Sequence, residues 1–249
     1  MENYRVGNLP MIGDMAPAFH AVTTRGEIDF PKDYYGKWIV FFSYQSDFTP
    51  VCTTELMTFA SMIKEFEELD TQLIGLSLDS VYSHIAWLRK VKELAWKDMK
   101  HIDVTFPLIA DISMEIASLY GMLCKGCQGS QTGRSVYIID SEGKIRANLN
   151  YPVATGRNIQ EIMRIVSALR KTENGYTATP ANWKPGEDIM LPPPDTCQAA
   201  TERTEKINEN MYCLDWFLSF RQSNCISGSQ EKEPEAIPYP SAYPVREYS

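Results

Sequence analysis

The chain has 249 residues, 44% of them hydrophobic, and a formal net charge of −8. That size supports one large domain, or one domain with a long appendage, around a proper core. The acidic balance, with no basic stripe to offset it, argues against nucleic-acid or anionic-membrane partners, and no apolar run approaches membrane-spanning length.

The opening residues, Met1-Glu2-Asn3-Tyr4, lack the basic-then-apolar pattern of a secretory leader. A cytoplasmic location is therefore expected, with the six cysteines mostly reduced. The run 38–44 (WIVFFSY) is apolar and β-prone and reads as a buried strand. It leads into 47–55 (DFTPVCTTE), after which Leu56, Phe59, Ala60, Ile63 and Phe66 recur at helical spacing. Thr49 suits the N-cap and Pro50 the first helical position, which puts Cys52 among backbone N–H groups without intrahelical acceptors. Those donors and the helix dipole favour a thiolate, so Cys52 is a candidate nucleophile. The alternative is a cysteine that merely packs as a small hydrophobe, with Thr49 only capping and Thr53 and Thr54 only facing solvent.

Further along, 72–79 (QLIGLSLD) reads as a strand, and Ser80 caps a helix with apolar Ile85, Leu88, Val91 and Ala95. A short strand at 106–111 and a helix at 113–120 follow. Segments 134–140 and 144–150 form a hairpin around Ser141-Glu142-Gly143, or are joined by a looser connection. Asn158 caps a helix carrying Ile159, Ile162, Met163, Val166 and Leu169. This alternation predicts an α/β fold with a mixed central sheet flanked by helices.

Cys124 and Cys127 form a CxxC in the loop before Arg134; it suits a redox dithiol, half a zinc site, or two incidental cysteines. His20, His84 and His101 show no metal spacing, and His84 is expected to be a helix residue with a satisfied hydrogen bond. Neither metal nor cofactor is expected. Past Lys171 the composition changes: prolines interrupt the chain, and helix is expected only over about 195–210. Met211, Tyr212, Leu214, Trp216, Phe217 and Phe220 then cluster. Such an arm is expected to pack on another subunit, making a homodimer. The resulting division is 1–172 for the main domain, 173–222 for a dimerisation arm and 223–249 for a Ser-, Glu- and Pro-rich tail expected to be disordered.

DFTPVCTTE after an apolar strand resembles the active-site segment of the peroxiredoxins, in the subfamily related to the one-cysteine enzymes that carries a long C-terminal arm. LIGLSLDSVYSHIAW (73–87), FPLIAD (106–111), RSVYIID (134–140), YPVATGRNIQEI (151–162) and TPANWKPGED (179–188) extend the likeness, in order, from about Met11 to Phe220. The resemblance implies a thioredoxin-like fold with an extended C-terminal arm, and thiol-dependent reduction of hydrogen peroxide and organic hydroperoxides. By that likeness Cys52 is the peroxidatic thiolate that becomes a sulfenic acid, Thr49 holds the peroxide, and Arg134 keeps the thiolate charged and helps bind substrate. Arg157 supports the site through hydrogen bonds or serves a structural ion pair, and Glu55 partners one of the arginines. Recycling would draw on a thioredoxin-like protein or a small thiol, and relatives assemble as dimers or decameric rings.

Two departures stand out against the family pattern. Tyr44 and Gln45 replace the usual His-Pro, which predicts slower turnover or altered substrate choice. The arm keeps the first cysteine of a CxDWWFC-like segment, Cys213, and has Ser219 at the second. Cys213 is the candidate resolving thiol, acting on Cys52 of the partner chain, with Cys197 and Cys225 behind it. Two other functions stay open at this point: an oligomeric redox-switched chaperone or peroxide sensor, and a thiol–disulfide oxidoreductase centred on Cys124 and Cys127.

Overall fold

The computed structural model describes residues 9–124, 131–173, 175–205 and 210–223. Two compact units divide the chain, Met1–Gln160 and Glu161–Ser249. In the first, β1 (Phe19–Thr23), β2 (Gly26–Phe30) and β3 (Trp38–Ser43) precede α1 (Pro50–Ser61) and α2 (Ile63–Glu68). Then come β4 (Thr71–Ser77), α3 (Val81–Glu93), the small pair β5 (Ala95–Trp96) and β6 (Met99–Lys100), β7 (Leu108–Ala110) and α4 (Glu115–Leu119). β8 (Arg134–Ile139), β9 (Ile145–Tyr151) and α5 (Ile159–Lys171) follow, α5 carrying the chain into the second unit.

Seven strands make one mixed sheet in the order β2-β1-β7-β4-β3-β8-β9. β3 pairs parallel with β4 and antiparallel with β8, and β8 turns back into β9 as the expected hairpin. Every residue of β3 and of β8 is buried, and apart from Ser43, Arg134 and Ser135 at the ends nearest α1 these central strands are apolar rather than alternating. Phe41, Phe30 and Tyr120 form an aromatic cluster in the main core, with Tyr120 edge-on to Phe41 at 5.0 Å. Phe42 lies instead beneath α1, stacked on Phe59 at 4.4 Å. The mixed sheet with flanking helices is the thioredoxin-like arrangement expected from the sequence.

Several local expectations change. The periodic run after Cys52 is two helices, because the chain leaves helical geometry at Met62 (φ −104°, ψ 15°) before restarting at Ile63. Ser80 does cap α3, accepting from the Ser83 N–H at 3.2 Å. The buried face of that helix is His84, Trp87 and Val91, not the predicted line through Ile85; Ala95 lies beyond the helix, in β5. A histidine with both ring nitrogens bonded can be buried where hydrophobicity alone would leave it outside. Strands β1 and β2, absent from the sequence reading, extend the sheet at one edge, where half-exposed Phe19-His-Ala-Val-Thr lacks a long apolar run.

The second unit has its own three-stranded sheet, β10 (Ile189–Leu191), β12 (Leu218–Arg221) and β11 (Met211–Asp215), together with α6 (Cys197–Glu205). The aromatic cluster of the arm is thus a β-hairpin, with Tyr212 stacked on Phe220 at 4.9 Å. The expected tail, apart from Ser223, lies outside the described residues.

Replacing Phe59 by Ala removes a fully buried ring that ties α1 to β3. The expected loss is roughly 3–5 kcal/mol of unfolding free energy, read as a lower urea midpoint at unchanged slope.

Candidate active site

The site forms where β3 ends and α1 begins. Pro50 occupies the first helical position and Cys52 the third, one turn from the N-terminus, as the sequence predicts. Thr49 holds the N-cap position with extended backbone, but its hydroxyl does not cap the helix; it donates instead to the Ser46 carbonyl at 2.8 Å. Thr53 and Thr54 return their hydroxyls to the carbonyls of Thr49 and Val51. Cys52 is a free thiol, only 1% exposed.

Antiparallel pairing supplies the cation. Phe42 opposes Val136, so continuing the register towards the end of β3 brings Arg134, the first residue of β8, alongside the start of α1. Its Nη1 lies 3.3 Å from Cys52 Sγ and donates to Glu55 Oε2 at 2.8 Å, while Nε donates to the Val153 carbonyl at 2.7 Å. Arg157, in the loop after β9, completes the arrangement. Its backbone N–H and Nε donate to Glu55 Oε1 at 2.7 and 3.1 Å, and Nη2 to Oε2 at 2.7 Å. Nη1 reaches the carbonyls of Ser43 and Ser135, and the guanidinium lies over the rings of Phe42 and Phe59. Burial pulls the Arg157 acidity towards a lower pKa, against the raising effect of Glu55.

Glu55 is therefore shared by both arginines, and all three side chains are buried. Two guanidinium charges against one carboxylate leave a positive charge beside the sulfur. A guanidinium hydrogen bond is stronger to an anion than to a neutral group. A nucleophilic sulfur aligned with a helix N-terminus and a guanidinium is equipped to attack a polarisable bond whose departing atom gathers negative charge. Among the described residues no group of His, Cys, Asp and Glu is placed to hold a metal ion.

Comparison with known proteins decides the family. The AhpC/TSA family matches residues 12–148, and the C-terminal domain of 1-Cys peroxiredoxin matches 168–206. A peroxiredoxin of Methanosarcina mazei is 54% identical over 86% of this chain and 98% of its own length. One from Aquifex aeolicus is 43% identical over 86% and 97%. The chain belongs to the peroxiredoxin family. It is thus a thiol peroxidase with the fold that family implies. Yeast mitochondrial 1-Cys peroxiredoxin has a solved structure similar to this one, with 36% identity, a TM-score of 0.72, and 86% and 99% of the two chains covered. A cysteine-to-serine mutant of peroxiredoxin 6 from Arenicola marina gives 31% identity and a TM-score of 0.74 over 86% and 98%.

Against the peroxiredoxin pattern, the two substituted positions before Cys52 find distinct partners. The Tyr44 side chain is buried and its hydroxyl donates to Asp47 Oδ1 at 3.1 Å. Gln45 Nε2 donates to Gln131 Oε1 at 2.9 Å, across to the segment leading into β8. The Cys124 backbone N–H donates to the Gln131 carbonyl at 2.9 Å; Cys127 lies outside the described residues, as does Cys225. In the second unit Cys213 and Ser219 are direct cross-strand partners, the Ser219 hydroxyl 3.5 Å from the half-buried sulfur, and Cys197 is exposed on α6. The sequence predicts one arginine on Glu55, whereas both Arg134 and Arg157 meet on that carboxylate; the local signal is Glu55 three positions after Cys52, one helical turn on.

Glu55→Gln leaves two buried guanidinium groups without their shared anion. Unfolding free energy is expected to fall by about 3–5 kcal/mol in denaturant titration, more than for removal of an exposed carboxylate such as Glu68.

Proposed function

We propose that this peroxidase reduces hydrogen peroxide and organic hydroperoxides with Cys52 as its nucleophile. The single observation that carries the reading is the 3.3 Å approach of Arg134 Nη1 to Cys52 Sγ in the first turn of α1. The thiolate attacks one peroxide oxygen, the O–O bond breaks, and the second oxygen leaves with the electron pair to be protonated as water or alcohol. The sulfur is left as a sulfenic acid. Arg134 and the helix N–H groups stabilise charge as it shifts from sulfur to the departing oxygen. Thr49 orients the peroxide, its hydroxyl turning from the Ser46 carbonyl to the incoming oxygen. Glu55 and Arg157 hold Arg134 in place.

Recycling is proposed to run through Cys213 of the partner subunit. Its thiolate attacks the sulfenic sulfur, hydroxide leaves as water, and the resulting disulfide takes two electrons from a thioredoxin-like dithiol or from small thiols. The 173–222 arm serves as the dimerisation element on this reading, and exposed Leu214, Trp216 and Phe217 at the tip of the β11–β12 hairpin supply an apolar surface for it. On this reading the enzyme works in a reducing compartment such as the cytoplasm.

Cys52→Ser is expected to abolish peroxide consumption, and Arg134→Gln to lower the second-order rate constant by roughly 100-fold, both measured by peroxide loss under excess reductant. Full consumption by the Cys52 variant would refute the assignment of the nucleophile. Gln45→Pro should speed peroxide reduction by removing the flexible amide beside the thiolate; an unchanged rate constant counts against that role of Gln45. After one equivalent of peroxide, non-reducing gels should show a dimer band that disappears in Cys213→Ser, and a band that persists rejects Cys213 as the resolving thiol.

A further inference from the structure

Past the end of the sheet, the segment that follows β3 and the segment that leads into β8 stay side by side. The Ser43 hydroxyl donates to the Gly133 carbonyl at 2.9 Å, the Thr132 hydroxyl donates to the Tyr44 carbonyl, and Gln45 Nε2 donates to Gln131 Oε1 at 2.9 Å. These ties step outward one residue at a time and carry the antiparallel run beyond its last strand pair, Phe42 with Val136. Each amide at the outer rung adjoins the candidate active site. Gln45 directly precedes Ser46, whose carbonyl receives the Thr49 hydroxyl at 2.8 Å. Gln131 stands three residues before Arg134, whose Nη1 lies 3.3 Å from Cys52 Sγ. The amide pair therefore bridges the segment carrying Thr49 and Cys52 to the segment carrying Arg134.

That bridge leaves most of the bonding capacity of both amides open. Each glutamine side chain has two N–H donors and one oxygen, so a single bond between them leaves three N–H groups and the Gln45 oxygen unused. Neither side chain makes a further hydrogen bond among the described residues. No buried side-chain nitrogen or oxygen lacks a partner among those residues, so the open groups of half-buried Gln45 and Gln131 reach solvent. The site behind them holds two guanidinium groups against the single carboxylate of Glu55, a field that favours electron-rich oxygen. Donors outnumber acceptors, and the field agrees with them. A proline, the residue of the family pattern at position 45, would offer no such group.

We propose that Gln45 and Gln131 form an amide subsite that sets substrate choice, taking the carbonyl oxygen of a peroxyacid in preference to the alkyl group of a simple hydroperoxide. The inference rests on Cys52 being the nucleophile. In a peroxyacid the carbonyl stands immediately beside the peroxide group, so a molecule seated between Thr49 and Arg134 extends it towards the segments that hold those two residues. The Cys52 thiolate attacks the terminal peroxide oxygen, the O–O bond breaks, and the carboxylate departs with the electron pair. Sulfur is oxidised to the sulfenic acid, which keeps the terminal oxygen and its proton, and the peroxyacid is reduced to the carboxylate. The open amide N–H groups stabilise the negative charge that gathers on the departing carboxylate. An alkyl hydroperoxide offers them only hydrocarbon, which takes away their water without replacing its hydrogen bonds.

Peracetic acid and ethyl hydroperoxide test it, because they are nearly the same size and differ by a carbonyl in place of a methylene. The reading is the ratio of their second-order rate constants for oxidising the reduced, full-length protein, by stopped flow in a single turnover below the pKa of the peracid. A change in the reactivity or accessibility of Cys52 alters both constants and cancels in the ratio. Gln131→Glu keeps an acceptor for Gln45 Nε2 and removes both Gln131 N–H donors. It should lower the ratio of peracid to alkyl hydroperoxide about fivefold, the worth of one hydrogen bond. Gln45→Met and Gln131→Met, which keep the side-chain length and lose the amide, should lower it by a similar factor. A ratio unchanged in all three variants overturns the subsite. So does a fall of both constants together, the mark of a tie that is merely structural. Cys52→Ser reports on the underlying reading separately. If that protein is inert while the glutamine variants leave the ratio unmoved, the subsite alone is refuted. If it is oxidised at unchanged rates, the nucleophile and the subsite are refuted together.

Discussion

The Glu55 carboxylate, buried between Arg134 and Arg157, is the interaction on which the active site depends. Four N–H donors converge on its two oxygens, three from Arg157 and one from Arg134. Desolvating three charged groups is expensive, and only dense hydrogen bonding offsets it. The carboxylate fixes the plane of each guanidinium and so aims Arg134 Nη1 at the sulfur of Cys52. Without it, two like charges would sit in the same dry space and repel. With it, one positive charge remains 3.3 Å from the sulfur, and the proposed chemistry of Cys52 draws on that charge.

That arrangement lies in a dry pocket, where dipoles and charges are unscreened. The short connection from β3 to α1 leads into it, with left-handed backbone at Phe48 and hydrogen bonds at Asp47 to Asp79 and His84. Gln45 ties the same segment to Gln131 through its side chain. Tyr44 brings a hydroxyl into the buried network around His84.

Much of the architecture could be read before folding was considered. The apolar runs of β3 and β8, the Thr-Pro start of α1 and the Ser80 cap each have a local cause, and the structure places them accordingly. Where the structure departs from the local pattern, a tertiary partner overrides a local preference. Ile85 looked like a core residue and is 40% exposed, while His84 beside it is fully buried. The helix turned to satisfy both imidazole nitrogens with Asp47 and the Ile109 carbonyl. Hydrophobic periodicity cannot register that preference, because the partners are 37 and 25 residues away. The same holds for β1 and β2, whose edge position leaves no continuous apolar signal.

The sequence by itself determined where Cys52 lies on its helix. A cysteine two residues after a proline that starts a helix lies among free backbone donors whatever surrounds it, since helix geometry is local. It also determined the family, through motifs that occur in order along most of the chain. Only the tertiary structure decided that Arg134 and Arg157 meet on Glu55, because that depends on the antiparallel register of β3 and β8 and on the loop that follows β9. It alone also placed His84 against Asp47. Arg134 and Arg157 lie 79 and 102 residues from Glu55 in the chain, and their attraction to it gains strength only when folding removes the water between them.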